Sequence, residues 1–215
     1  MTSRTLRHDI AMLVLSLFDY TTNFVKPWAD AGFLCYCVDS QHPPGETRDG
    51  NIIRVGADIL EYLPPKGDYA FCAAFPPCTH LAVSGARWFK GKGLGKLADS
   101  IRLFHRAALI CMWTGAPYFI ENPVSTISTY WRPPNHSFDP CDYGDPWTKK
   151  TCLWTGGGFV MPRKRRVLPT LGSLMHRLPP GPDRANQRSE TPRGFACAIF
   201  KANRRKPGTR MANAG

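Results

Sequence analysis

A cysteine and a glutamate each follow an apolar run that is typical of a buried strand. The first run ends in Pro76-Pro77-Cys78, and the second ends in Glu121-Asn122-Pro123. Because proline cannot donate to a sheet ladder, the first strand must end close to Phe75. Ligands of open α/β sheets bind at the carboxyl ends of the strands, where a thiol can serve as a nucleophile and a carboxyl group as an acid. Free cysteine is also a common core residue, so Cys78 taken alone fits a structural role as well.

The elements that would position these groups alternate between strands and helices. Residues 11–18 are apolar throughout, as in a central parallel strand, and a polar turn at residues 19–23 leads into a helix toward Ala31. Residues 33–38 form a second strand that ends in Asp39. In a βαβ nucleotide-binding unit such an acid accepts hydrogen bonds from ribose hydroxyls, which is the role we expect for Asp39, with capping of a turn as the alternative. The absence of a glycine-rich first turn disfavours a dinucleotide and leaves adenosine-type ligands open.

A basic segment follows the cysteine directly. Residues 85–95 contain several glycines, which predicts a flexible loop that acts as a lid and meets phosphates. The cations in and beside this segment are Arg87, Lys90, Lys92 and Lys96. An amphipathic helix is predicted over residues 98–114, with Ile101, Phe104, Ala108 and either Cys111 or Met112 on one face.

The remaining elements are short. Residues 42–51 are predicted to be a loop, and residues 52–55 a strand that is followed by Asp58-Ile59. Lys149 and Lys150 precede a strand that runs to residue 154, and residues 191–203 form a helix with a proline at its start.

The charge is concentrated at the carboxyl end. The net charge is +12, and residues 161–215 carry thirteen Lys or Arg against two acids, a net of +11. A basic third on a neutral body indicates a polyanionic partner, with nucleic acid ahead of a membrane, or a solvated basic tail. No apolar run reaches the length of a membrane span. The eight cysteines contain no CxxC pair, which disfavours a zinc ribbon, and several lie in apolar runs, so a reduced, intracellular protein is the default expectation. We also expect a monomer in the cytoplasm.

Together these features resemble the DNA cytosine-5 methyltransferases, which use S-adenosylmethionine (SAM). Pro77-Cys78 is similar to the family motif that carries the nucleophile, and Glu121-Asn122 to the motif that holds the target base. Residues 13–18 resemble the first SAM motif, and residues 191–196 resemble the motif that folds back to complete the SAM pocket. The resemblance spans about residues 10–203 and is closest to the short members of bacteriophage genomes, which would place the protein in a bacterial host cell.

The resemblance implies a doubly wound, mostly parallel α/β sheet of the class I methyltransferase type, with a loop-rich basic carboxyl third. It implies no metal. The residues implied to bind SAM are Phe18, Asp19, Tyr20, Thr21, Asp39, Asp58, Ile59, Pro76, Gly194 and Phe195. The residues implied to contact the base or DNA are Pro77, Asn122, Arg87, Lys90, Lys92, Lys149 and Lys150.

The same resemblance implies an organisation along the chain. Residues 1–154 would form the catalytic core, and residues 155–190 would replace a target-recognition domain. Residues 191–203 would complete the core, and residues 204–215 would form a disordered basic tail. Because residues 155–190 are few, we expect low sequence specificity.

Two departures from the family leave the donor open. Residues 19–22 read Asp-Tyr-Thr-Thr where the family has glycines, and Phe195 stands where relatives usually have Asn. Arg193 or Lys26 would place a cation near the sulfonium, which suits a donor with an extra carboxylate such as carboxy-SAM, unless both face solvent or DNA phosphate. The alternatives to DNA methylation are therefore carboxymethyl transfer, action on RNA or a free cytosine nucleotide, and a catalytically silent nucleic-acid-binding protein.

Overall fold

Within the described part of the chain, eight strands form one sheet. The computed structural model describes residues 12–204, except for the side chains of Met175 and His176. The strands are β1 (Leu13–Leu17), β2 (Leu34–Val38), β3 (Gly45–Asp49), β4 (Ile52–Gly56), β5 (Tyr69–Ala74), β6 (Tyr118–Pro123), β7 (His136–Phe138) and β8 (Thr151–Gly156). Their order is β3-β4-β2-β1-β5-β6-β8-β7, with β4, β2, β1, β5 and β6 parallel. The antiparallel pairs are β3 with β4, β6 with β8, and β8 with β7. The predicted doubly wound, mostly parallel sheet is confirmed.

Helices cover both faces of this sheet. They are α1 (Lys26–Ala29), α2 (Phe89–Trp113), α3 (Ile127–Tyr130), α4 (Leu174–Arg177), α5 (Arg184–Ser189) and α6 (Arg193–Asn203). Short 3-10 helices span Val83–Trp88 and Pro140–Tyr143. No helix within residues 12–204 is both long and apolar enough to cross a membrane.

Two apolar clusters lie on opposite faces of the sheet. Along β1, Leu15 and Leu17 pack on the face covered by α2, while Val14 packs on the face covered by α1 and α6. Side chains alternate between the faces of a strand, so a strand buried on both sides is apolar throughout. The predicted inner face of α2 is confirmed at Phe104, Ala108 and Cys111, whereas Met112 is exposed.

The predicted flexible loop at residues 85–95 is wrong. The chain forms the 3-10 helix Val83–Trp88 and then the first turns of α2, with a kink at Gly93, whose φ is +77°. Gly91 and Gly95 have open space around their α-carbons. Glycine lowers helix stability by about 1 kcal/mol without forbidding the helix, and the left-handed residue absorbs the bend.

Other elements also differ from the sequence prediction. The predicted loop at residues 42–51 contains β3, whose residues are all exposed, so no apolar alternation indicated it. The predicted helix toward Ala31 is only the four residues of α1. Residues 155–190 contain the short helices α4 and α5, and β7 was not predicted.

Helix α6 is confirmed, with Phe195 and Ile199 buried. The part of the predicted tail beyond Arg204, and Ala11 of the predicted first strand, lie outside the described residues.

Candidate active site

The end of β5 presents Cys78 at the carboxyl edge of the sheet. The strand ends at Ala74, as predicted, and the two prolines carry the chain out of the ladder. The Cys78 carbonyl accepts hydrogen bonds from the amides of Leu81 at 3.0 Å and Ala82 at 2.8 Å, so the cysteine opens a tight turn. Its side chain is partly exposed, in contrast to those of Cys72 and Cys111 in the core, and all eight thiols are free.

Glu121 and Asn122 lie inside β6 rather than after it, because β6 continues along antiparallel β8. Consecutive residues of a strand face opposite sides, so the two side chains separate. Asn122 is fully buried, and its Nδ2 donates to the Pro76 carbonyl at 2.9 Å. Asn122 thus ties β6 to the Pro-Pro-Cys segment from beneath.

Cys78 and Glu121 line the same cleft, which has a volume of about 750 Å³. Its walls come from the β5 end, from β6, from the segment before β8 and from α5. The other residues with polar side chains in its lining are Thr79, Ser84, Asp139, Thr148, Lys149, Lys150, Ser173, Arg188 and Ser189. Pro76 and Pro77 also line the cleft. This volume lies in the range of small-molecule and cofactor sites.

Lys149 connects two walls of this cleft. Its Nζ lies 4.0 Å from Glu121 Oε1 and donates to the Arg188 carbonyl at 2.9 Å. Only 23% of the Lys149 side chain and 15% of the Glu121 side chain are exposed, so the pair is shielded from solvent. The neighbouring Lys150 also lines the cleft and is exposed.

The electrostatics couple Cys78 to these charges. Burial, and then the Glu121 carboxylate, raise the pKa of the Cys78 thiol, while the charges of Lys149 and Arg188 lower it and leave a net rise. Burial also raises the pKa of Glu121, and Lys149 opposes that rise. A proton on Glu121 therefore favours the thiolate of Cys78, because it removes the nearest negative charge.

The first turn after β1 lies at the point where the sheet order reverses, between β1 and β5. Phe18 has a left-handed φ of +58°, and the chain turns there into residues 19–22. The Asp19 carboxylate folds beneath this turn, accepting from Ser16 Oγ at 2.7 Å and from the Thr22 amide at 2.8 Å. Asp19 is 4% exposed, so its carboxylate is taken up by its own turn and is not presented to a ligand.

The other residues that were predicted to bind the donor lie at the same sheet edge or behind it. Asp39 follows β2 and accepts from the Gln41 amide at 2.8 Å, so it caps a turn while one carboxylate oxygen remains for a ligand. Phe18 and Ile59 belong to the same apolar cluster, and Asp58 caps the Leu60 amide at 2.9 Å. Ile59 is 4% exposed and is therefore a core residue, whereas Phe18 is partly exposed. Asp39 and Phe18 are thus the residues of this set that could contact the ribose and base of an adenosine-type cofactor.

Tyr20 and Thr21 complete this turn. Tyr20 is exposed, and its ring lies 5.5 Å from that of buried His42. The Thr21 hydroxyl donates to Asp19 at 3.4 Å, so Thr21 supports the turn.

The carboxyl-terminal motif packs behind this edge. The Gly194 amide donates to Asp145 Oδ2 at 3.0 Å, and a Cβ at Gly194 would overlap the Tyr143 carbonyl. Phe195 is buried and stacks on Phe138 with 3.9 Å between ring centroids. Phe195 also borders a narrow crevice beside Glu121.

The predicted DNA-contacting cations separate into two groups. Lys149 and Lys150 line the cleft, whereas Arg87, Lys90 and Lys92 lie on the helical segment beside it. Lys92 Nζ donates to the Thr79 carbonyl at 2.7 Å, next to the cysteine. Arg87 lies 5.1 Å from the ring centroid of Trp88, whose side chain is 59% exposed.

Sequence reasoning missed Arg188 as a site residue. It comes from a segment without periodicity, and no motif distinguishes it from the other arginines there. Trp154 is fully buried and donates from its indole to the Arg132 carbonyl at 2.7 Å, so it offers no surface for stacking a base. It is a core residue.

No family model and no curated protein matches the sequence. Among solved structures, the chain is similar to the CcbJ methyltransferase from Streptomyces caelestis, with 14% identity and a TM-score of 0.32. The matched part covers 59% of this chain and 49% of that one, so it spans about half the length of the solved enzyme. A likeness of this degree identifies neither a family nor a reaction. The eight-stranded, mostly parallel sheet with helices on both faces is itself consistent with the class I methyltransferase-like fold that the sequence predicts.

Proposed function

We propose that the protein transfers a methyl group from SAM to C5 of cytosine in DNA, with Cys78 as the nucleophile. The observation that carries this proposal is that Cys78 and Glu121 line one cleft at the carboxyl ends of β5 and β6. A thiol and a carboxyl group whose protonation states are coupled are the groups that this reaction requires.

The chemistry follows from the weak nucleophilicity of cytosine C5. The Cys78 thiolate adds to C6, and the electron pair of the C5–C6 bond makes C5 nucleophilic. C5 would then take the methyl group of the donor, whose S–CH3 bond breaks with its electron pair left on sulfur, so that the donor leaves as a neutral thioether. Loss of the C5 proton to a base such as water then restores the double bond and releases Cys78 as thiolate.

Glu121 would act on the opposite edge of the base. Its raised pKa favours a protonated carboxyl group, which can donate to ring N3 as negative charge develops there. The same proton removes the charge that disfavours the Cys78 thiolate. Lys149 would hold Glu121 in place and balance its charge in the deprotonated state.

The partner would be DNA in which the target base has left the stack, because C5 and C6 are unreachable inside a duplex. The cleft is large enough for one nucleotide. Binding would rest on phosphate contacts from Lys150, Arg87, Lys90 and the arginines of residues 163–166. Of these, Arg166 already pairs with Asp142 at 3.3 Å, as Lys164 does at 2.8 Å.

The donor site would lie at the switch point, with Phe18 and Asp39 against the adenosine part and buried Ile59 packed behind them. The two cations that suggested carboxy-SAM have partners of their own: Lys26 donates to the Asn23 side chain at 2.7 Å, and Arg193 is exposed and lies close enough to Asp145 to oppose the rise that burial causes in the pKa of its carboxyl group. Methyl transfer is therefore the reaction we propose, with carboxymethyl transfer as an outcome that the product mass distinguishes.

A silent nucleic-acid-binding protein is the second candidate, and one observation favours it. Trp88 and Trp131 are exposed, and each carries an arginine over its ring, as Arg132 does over Trp131 at 4.4 Å. Exposed aromatic residues beside cations suit the stacking of single-stranded bases.

Mass spectrometry of nucleosides from DNA of expressing cells tests the proposal. We expect 5-methyldeoxycytidine with the wild type and with Cys197→Ser, which removes an exposed thiol outside the cleft, and none with Cys78→Ser. DNA that contains 5-fluorocytosine should trap a covalent adduct with the wild type and not with Cys78→Ser. Full activity of Cys78→Ser would refute the mechanism, and binding without any modified base would support the silent candidate.

A further inference from the structure

Helix α5 brings one arginine into the candidate active site. Arg188 lines the cleft with Cys78, Glu121 and Lys149, although it lies 67 residues beyond Glu121 in the chain. Its backbone carbonyl accepts a hydrogen bond of 2.9 Å from the Lys149 ammonium, which fixes the backbone at this position. Arg188 is half-buried.

The segment that carries Arg188 is anchored on both sides. Asn186 Nδ2 donates to Gln41 Oε1 at 3.1 Å, and Asn23 donates to the Glu190 carboxylate. Gln41 follows β2 and Asn23 follows β1, so residues 186–190 connect the candidate donor loops with the cleft. An arginine on such a segment is positioned by contacts at both ends.

The guanidinium of Arg188 is available to a ligand. Within residues 12–204, no carboxylate oxygen lies within 4.0 Å of it, whereas Lys149 faces Glu121 and Arg166 faces Asp142. Guanidinium groups bind phosphate through two parallel hydrogen bonds, which gives orientation as well as affinity. A cation without a carboxylate partner in a cleft with a nucleophilic thiol is suited to hold an anionic substrate.

We propose that Arg188 binds the phosphate of the target nucleotide and thereby positions the base over Cys78. This proposal rests on the proposed function for the identity of the nucleotide. The positive charge also favours the thiolate, because it is among the charges that lower the pKa of Cys78. Arg188 would then supply, from the short segment at residues 155–190, a contact that orients the substrate without reading its sequence.

Binding to a cytosine-containing oligonucleotide, measured at several salt concentrations from about 50 to about 200 mM, tests the contact. Arg188→Gln should weaken binding and reduce the slope of log affinity against log salt concentration by about 1, the value for one lost phosphate contact. Arg188→Lys keeps the charge and should retain the slope of the wild type. Lys201→Gln is the charge-matched control, since Lys201 is exposed on α6 and does not line the cleft. An unchanged slope in Arg188→Gln would overturn the proposal.

Two further readouts separate this contact from other roles. Arg188→Gln should slow the alkylation of Cys78 by iodoacetamide at neutral pH in a Cys197→Ser background, while Lys201→Gln leaves it unchanged. Calorimetric binding of SAM and of carboxy-SAM should be unaffected. A selective loss of carboxy-SAM binding would assign the arginine to the donor instead and refute a phosphate contact. These measurements need no turnover, so their outcome is independent of whether Cys78→Ser abolishes modification.

Discussion

Lys149 Nζ lies 4.0 Å from Glu121 Oε1, and the same ammonium donates to the Arg188 carbonyl at 2.9 Å. One side chain therefore joins the strand that carries the acid to the helix that carries an arginine of the cleft. Because Cys78 lines the same cleft, its protonation responds to all three charges. The negative charge of the Glu121 carboxylate disfavours the Cys78 thiolate, while the positive charge of Lys149 favours the charged form of both groups.

Replacing Glu121 with Gln should separate the two roles of the carboxyl group. DNA modification should fall by about 10² to 10⁴, as for a positioned acid–base group. Alkylation of Cys78 at neutral pH should become faster, because the charge that raises the pKa of its thiol is gone. Peptide mapping of iodoacetamide adducts in a Cys197→Ser background measures the second effect. Slower alkylation would show that Glu121 does not act on Cys78 electrostatically.

Replacing Lys149 with Gln should have the opposite effect on the thiol. Loss of the cation raises the pKa of both Cys78 and Glu121, so alkylation of Cys78 at neutral pH becomes slower. The hydrogen bond to the Arg188 carbonyl is also lost, which should lower the free energy of unfolding by about 1–2 kcal/mol. Lys150→Gln is the matched control, because Lys150 is exposed and adjacent. Equal effects of the two substitutions would contradict a special role for Lys149.

Asp19 should make stability depend on pH. Burial raises the pKa of its carboxyl group to about 6, against the hydrogen bonds from Ser16 and Thr22 that lower it. The folded state therefore binds more protons than the unfolded state between about pH 4 and about pH 6, so this group's contribution to stability falls as the pH rises through that window. The free energy of unfolding of Asp19→Asn, relative to that of the wild type, should therefore increase by about 3 kcal/mol as the pH rises from below to above this window.

Denaturant unfolding of both proteins at about pH 4 and about pH 7.5 measures that difference. Other titrating groups cancel in the comparison, because they are common to the two proteins. A difference that does not change with pH would show that the Asp19 carboxylate is not destabilised by burial.

Gly194 should not tolerate a side chain. A methyl group there would overlap the Tyr143 carbonyl and crowd Asp145, so Gly194→Ala should destabilise the protein by about 2 kcal/mol or more in spite of the better helix propensity of alanine. Gly91→Ala in α2 is the control, since that position is open, and it should be neutral or stabilising by up to about 1 kcal/mol. Thermal unfolding of the two variants gives the comparison, and equal stability would contradict the packing of α6 against Tyr143.

Sequence context should matter little to modification. Residues 155–190 contribute α4, α5 and loops, which are too small to form a separate recognition domain, so phosphate contacts should dominate binding. Bisulfite mapping of DNA from expressing cells should show modified cytosines in many contexts. A strict site of about four to six bases would refute this expectation.

The amino-acid sequence by itself determined the central part of the fold. Apolar runs at β1 and β5 can be buried only on both faces of a sheet, and the prolines after Phe75 must end β5 at the cysteine. The periodicity of residues 98–114 likewise fixed the inner face of α2. These features depend on local pattern, which is present in the sequence. Exposed β3 carries no such pattern, and the glycine content of residues 85–95 indicated a loop where the chain forms helical turns with a kink at Gly93.

The tertiary structure alone decided which charges surround Cys78. The position of Glu121 in the cleft can be predicted, because its strand ends at the same edge of the sheet as the strand before Cys78. Lys149 lies beside Glu121 only because β8 pairs antiparallel with β6. Arg188 reaches the cleft because Asn186 and Glu190 fasten its segment to loops far away in the chain. The side chain of Asp19 folds beneath its turn for a local reason, because Ser16 and Thr22, each three residues away, donate to it. Hydrophobic periodicity and turn residues do not predict such contacts or side-chain conformations. Their free energy depends on which groups the folded chain brings together.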